Sequence, residues 1–126
     1  MSSWSLVLGD APAPDAAVEV SVDRVAALTV AEQGGRLTIG AHAVEAVPEG
    51  ALAPALTGGN VKDGAALTAA IKRVLEAIGR PRRVALVLPD PVTKVSILRF
   101  EQVPPRAQDL DQLIQWQMKK AAPFPL

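Results

Sequence analysis

Apolar and polar residues alternate in the first regular stretch of the chain. Val18, Val20 and Val22 fall on one side, and Glu19, Ser21 and Asp23 on the other. A period of two predicts a half-buried strand. Small and β-branched apolar residues continue from Val25 to Ala31 and stop at Gln33-Gly34-Gly35-Arg36. A Gly-Gly pair between two such runs predicts a hairpin, because the turn needs positive φ. Leu37–Val47 is then the returning strand, closed by Pro48-Glu49-Gly50, and residues 51–62 read as a loop rich in Ala, Pro and Gly. Beyond it the period lengthens. Leu67, Ala70, Ile71, Val74, Leu75 and Ile78 recur at helical spacing, with Asp63 placed as N-cap and Gly79 and Pro81 as the stop. Lys72, Arg73 and Glu76 fall on the solvated face of this helix.

Val84–Leu88 is an unbroken apolar run, which predicts a strand covered on both faces in the middle of a mixed sheet. Lys94–Phe100 predicts another strand, with Val95 and Ile97 facing one way and Leu98 and Phe100 the other. Arg106–Ala122 predicts a second helix: Asp109 and Asp111 lie in its first turns, Lys119 and Lys120 in its last, and Leu110, Leu113, Ile114 and Met118 form its buried stripe. Pro123-Phe124-Pro125-Leu126 ends that helix. Before the first strand lie a short apolar run, Trp4–Leu8, and a stiff Pro/Ala spacer, Ala11–Asp15. The order predicts an α/β (α+β) chain with helices packed on a mixed sheet.

Composition narrows the function. The 126 residues carry 13 Lys+Arg against 13 Asp+Glu, a net charge of zero. One domain fits that length. The missing basic surplus argues against a nucleic-acid partner. Cysteine is absent and His42 is the single histidine, so thiol chemistry and histidine metal clusters are closed. No run reaches the roughly 18–20 apolar residues that membrane insertion requires. The phosphate-loop, dinucleotide, zincin and nucleophile-elbow patterns are missing. Gly34-Gly35 and Gly58-Gly59 read as turn glycines, His42 as an ordinary strand residue, and Asp109 and Asp111 as helix-start acids. The chain therefore reads as non-catalytic, with no metal site. Trp116 projects off the centre of its helix stripe, so it either caps the edge of the core or stands as an exposed anchor for another protein. Leu98 allows the same two readings.

The segment Ile114-Gln115-Trp116-Gln117-Met118-Lys119-Lys120-Ala121-Ala122-Pro123-Phe124-Pro125-Leu126 resembles the "I-x-W-E-x-x-x-x-I-P-F-P-L" block of the PilM family, actin-like cytoplasmic proteins of type IV pilus assembly. Val84–Pro89 followed by Val95–Phe100 is similar to that family's strand pair. Pro48-Glu49-Gly50 and Gly59–Asp63 resemble its helix approach. The likeness covers roughly residues 17–126. It implies the N-terminal part of an actin-like fold: a spacer over 1–16, a first-lobe part over 17–82 (mixed sheet, hairpin and helix), and a partial inserted subdomain of strands and one helix over 83–126. It also implies an N-terminal fragment of a longer chain.

The same resemblance implies a cytoplasmic adaptor, peripheral at the inner membrane, that holds the N-terminal tail of a bitopic PilN-like membrane protein. Leu98, Phe100 and Trp116 are the candidate partner-binding residues. A contrasting function is an ATPase of the actin/sugar-kinase superfamily, and a neighbouring one is a type II secretion platform component. Against ATP as cofactor, the family's "G-I-D-I-G-S-S-S-V-K" loop aligns with Val18–Ala26, where Ser21 replaces a glycine, Asp23 a small residue and Ala26 the lysine. The added carboxylate repels a triphosphate and the lost glycine stiffens the turn. An incomplete sheet would leave an unpaired edge that favours a homodimer.

Overall fold

Gly34 and Gly35 sit at φ +59° and +77°, the left-handed region that a two-residue hairpin turn requires. They join β2 (Arg24–Gln33) to β3 (Arg36–Ala46). The computed structural model describes residues 12–122. The Trp4–Leu8 run and the Pro123–Leu126 ending lie outside the described residues. Ahead of the hairpin, β1 (Ala16–Val20) turns through Ser21–Asp23 into β2. The strand read from Val18 as far as Val22 therefore ends at Val20. There the Ser21 amide donates to the Arg24 carbonyl at 2.8 Å, closing a tight turn that no Gly or Pro announces. Val22 is half exposed in that turn.

Helix α1 (Gly64–Ala77) starts where Asp63 accepts the Ala66 amide at 2.9 Å. It ends in a Schellman motif. Gly79, at φ +91°, donates to Glu76, and Arg80 donates to Leu75 at 2.8 Å. Leu67, Ile71 and Leu75 flank the fully buried Ala70 and Val74, and these pack on β2 and β3. Ala16, Val18, Val20, Val25, Ala27, Val47, Ala51 and Ile78 complete the core. Arg73 Nε reaches Glu45 Oε2 on β3 at 2.7 Å, tying the outer side of α1 to the sheet.

The crossover through α1 returns the chain to β4 (Ala85–Val87), which pairs in parallel with β1: Ala17 with Ala85, Val18 with Leu86, Glu19 with Val87. Among the described residues the sheet is mixed, four-stranded, and ordered β3-β2-β1-β4, so β3 and β4 are its described edges. This corrects two expectations for the second half of the chain. The Val84–Leu88 strand lies at the edge of the sheet, and Leu86, Val87 and Leu88 are each about half exposed, because α1 covers β2 and β3 and leaves β4 bare. Lys94–Phe100 forms no strand, since it has no described strand beside it to supply a ladder. The expected subdomain of several strands after residue 83 thus reduces, among the described residues, to β4, a single 3₁₀ turn at Asp90–Val92 and helix α2 (Ala107–Ala121). The two helices and the mixed sheet make a small α+β domain. No helix among the described residues is long and apolar enough to cross a membrane.

Candidate functional site

Two apolar surfaces stand open. The first follows β4. From Val95 to Phe100 exposure alternates with a period of two, as in an extended chain: Val95 and Ile97 are 89% and 84% exposed, whereas Ser96, Leu98 and Phe100 are half-buried. None of these backbone groups forms a main-chain hydrogen bond with a described residue. The Lys94 ammonium donates to the Ala121 carbonyl, so the start of this segment is fastened to the end of α2. That bond satisfies one of the carbonyls a helix C-terminus leaves free, and it places a cation at the negative end of the dipole.

Leu110, Leu113, Ile114 and Met118 fall on one side of α2 but are only half-buried, against the expectation of a buried stripe. Neither α1 nor any strand packs on this helix. Trp116 is 54% exposed, and the Lys120 ammonium lies 3.5 Å from its ring centroid. The ring therefore stands at the surface and does not cap the core. A cation over its face keeps the ring ordered at the surface. Leu98 and Phe100 share the half-buried side of their segment, while Trp116 points outward from α2. The outward apolar side of the segment belongs to Val95 and Ile97, which the sequence reading did not single out. The signal was present in their alternation with Leu98 and Phe100.

The second surface is the sheet face opposite α1. Register pairing places Ala17, Leu28 and His42 in one row across β1, β2 and β3, and Glu19, Ala26 and Val44 in the next. With Ile39, Gly40 and Val87 they line a shallow concavity of about 670 Å³. Val44 and Ile39 are 60% and 68% exposed. A solvated sheet face normally carries polar residues. Here only Glu19 and His42 interrupt the apolar lining. Its sequence signal is the run Val25–Ala31, which is apolar at odd and even positions alike and so supplies both faces of β2.

At the β1–β2 turn the Ser21 amide is already bonded to Arg24. Asp23 pairs with the Arg24 guanidinium at 3.5 Å, and Glu19 accepts from the Ser21 hydroxyl at 3.4 Å. Among the described residues there is no cluster of three or more His, Asp or Glu able to hold a metal ion. No protein-family model matches this chain, and no curated protein matches it.

Proposed function

We propose that the chain is a scaffold of the PilM type. It works at the cytoplasmic side of the inner membrane, where it holds the extended N-terminal tail of a bitopic, PilN-like membrane protein in type IV pilus assembly. The observation that carries this reading is the Lys94–Phe100 segment. It combines seven residues without main-chain partners among the described residues, an outward pair of apolar side chains, and a neighbouring helix with an exposed tryptophan. An incoming extended peptide gains main-chain hydrogen bonds from such an edge, and pockets beside it select alternate side chains. Leu98 and Phe100, on the half-buried side of the segment, and Trp116, the aromatic anchor, are the partner-binding residues of this reading.

The actin-like assignment draws support from the mixed sheet of strand, turn, strand, hairpin and crossover helix. Nucleotide does not fit the turn of this chain. Two carboxylates, Glu19 and Asp23, flank it, its arginine is engaged by Asp23, and the Ser21 amide is spent on Arg24. A triphosphate there would meet negative charge and no free donor from these residues. The scaffold therefore acts without ATP.

Calorimetric titration with the synthetic cytoplasmic tail of a PilN-like bitopic membrane protein tests the reading. Binding at micromolar concentration, lost in Ile97→Asp, is the expected result. A tail that does not bind, or binds Ile97→Asp unchanged, overturns it.

A further inference from the structure

We infer that the C-terminal half of α1 and the loop that leaves it form a cationic surface that docks on anionic lipid headgroups. This contact is separate from the tail site on Lys94–Phe100 and does not rest on the pilus reading.

The surface comes from a segregation of charge that the zero net charge conceals. Between Ala70 and Pro89 the chain carries Lys72, Arg73, Arg80, Arg82 and Arg83 against a single carboxylate, Glu76. All five cationic residues are exposed. Helix geometry puts Lys72, Arg73 and Glu76 on the side of α1 opposite its buried Ala70 and Val74. Arg80 stays beside that outer side, because its guanidinium reaches Glu76 Oε1 at 2.8 Å. Arg82 and Arg83 follow at the entry to β4, where Arg83 Nη2 donates to the Pro12 carbonyl at 2.7 Å.

Carboxylates offset only part of this charge. Glu45 holds Arg73 and Glu76 holds Arg80. Asp15 shares an open concavity with Arg82 and Arg83 but forms an ion pair with neither. Lys72, Arg82 and Arg83 are thus in no ion pair among the described residues. At the other end of α1, where β1 turns into β2 and β3 ends, Asp23, Glu49 and Asp63 outnumber Arg24 and Lys62. An anionic plane therefore attracts the domain by the exit end of α1 and orients it.

Among anionic partners a bilayer fits this surface. A cluster of about four to eight Lys/Arg on an amphipathic helix is the pattern that anionic headgroups attract, and it asks for charge density without a matching shape. The guanidinium groups add bidentate hydrogen bonding to phosphate. A single-stranded nucleic acid would call for rings on which bases stack, and the described aromatic residues, Phe100 and Trp116, lie beyond β4 in the chain. The apolar side of α1 is already spent on β2 and β3, so the helix does not insert and the contact is electrostatic.

Co-sedimentation of the chain with vesicles is the test. At low salt the protein is expected to pellet with vesicles of phosphatidylglycerol and phosphatidylcholine in equal parts. It should stay in solution with phosphatidylcholine alone, or in about 1 M salt, where the Debye length falls to about 3 Å. Arg82→Glu, at a side chain with no hydrogen bond to a described residue, should weaken vesicle binding at least tenfold with an unchanged circular dichroism spectrum. Lys62→Glu, the same charge change at the opposite end of α1, should leave binding nearly as it was. Failure to bind the anionic vesicles overturns the proposal, as does equal binding to phosphatidylcholine. So do equal losses for Arg82→Glu and Lys62→Glu, which would mean that net charge alone counts. Tighter binding to a single-stranded oligonucleotide than to the vesicles would overturn it too and give the surface to nucleic acid.

Discussion

Thr29 and Gly40 are fitted to each other across the β2–β3 ladder. A Cβ placed on Gly40 would stand 2.7 Å from Thr29 Oγ1. That oxygen is already held by the Ala41 amide at 2.9 Å, where the register slips between Leu28 and Val30. A β-branched side chain bonded in this way cannot swing aside cheaply. Gly40→Ala is therefore expected to cost about 1–2 kcal/mol. In a Thr29→Ala background the cost should fall, and a urea double-mutant cycle reads the difference as coupling. Strictly additive losses would mean that the two positions do not constrain each other.

The two ends of α1 carry separable stabilities. Asp63→Ala removes the acceptor for Ala66 and should cost about 1 kcal/mol, with Asp63→Ser close to wild type. Gly79→Ala forces a Cβ into the left-handed region and should cost about 1–2 kcal/mol. Urea midpoints of the two single variants and the double should be additive, since the sites share no partner.

Val74 is fully buried at the centre of the helix–sheet contact. Truncation to alanine opens a space between α1 and the strands, with an expected loss of about 2 kcal/mol. By contrast Arg73→Ala, which breaks the ion pair to Glu45, should cost under about 1 kcal/mol, because that guanidinium is half exposed and screened. Thermal melts compare the two directly. A larger loss for Arg73 than for Val74 would invert the assignment of where stability resides.

Trp116→Ala should weaken tail binding by at least tenfold and leave the melting temperature unchanged, since no strand and no part of α1 rests on that ring. Lys120→Ala, which frees the ring face, should have a smaller effect on the same titration.

Magnesium ATP at millimolar concentration is expected to leave the melting temperature where it is. A ligand bound well below its working concentration would raise it by mass action. A rise of several degrees would overturn the proposal that the chain acts without ATP and favour the contrasting ATPase reading.

The sequence made the Gly34-Gly35 hairpin and α1 legible because their determinants are local: positive φ at two glycines, an aspartate oxygen three residues before an amide, a glycine stop. The failures have one cause, pairing with distant residues. Val18, Val20 and Val22 keep their alternation past the point where the strand turns, so nothing near Ser21–Asp23 marks the bend. The apolar content of Val84–Leu88 suited a central strand, yet α1 does not reach across β4. Lys94–Phe100 carries strand composition without a described strand to complete it. At the candidate site, the exposure of Trp116 was left open because stripe geometry gives the direction of a side chain but not what covers it. The open sheet face went unread because doubling of apolar residues on β2 signals two covered faces and names neither cover.

The parallel pairing of Ala17 with Ala85 has a consequence for how the protein is made. β1, β2 and β3 are complete once the ribosome has released residue 46 or so, and they can close as a meander of neighbouring strands. Among the described residues only β4 covers the outer edge of β1, so with respect to them the nascent chain presents that edge throughout the synthesis of α1. Glu19, the one charged residue of β1, sits at the end of that waiting edge, where it discourages premature pairing with a neighbouring nascent chain.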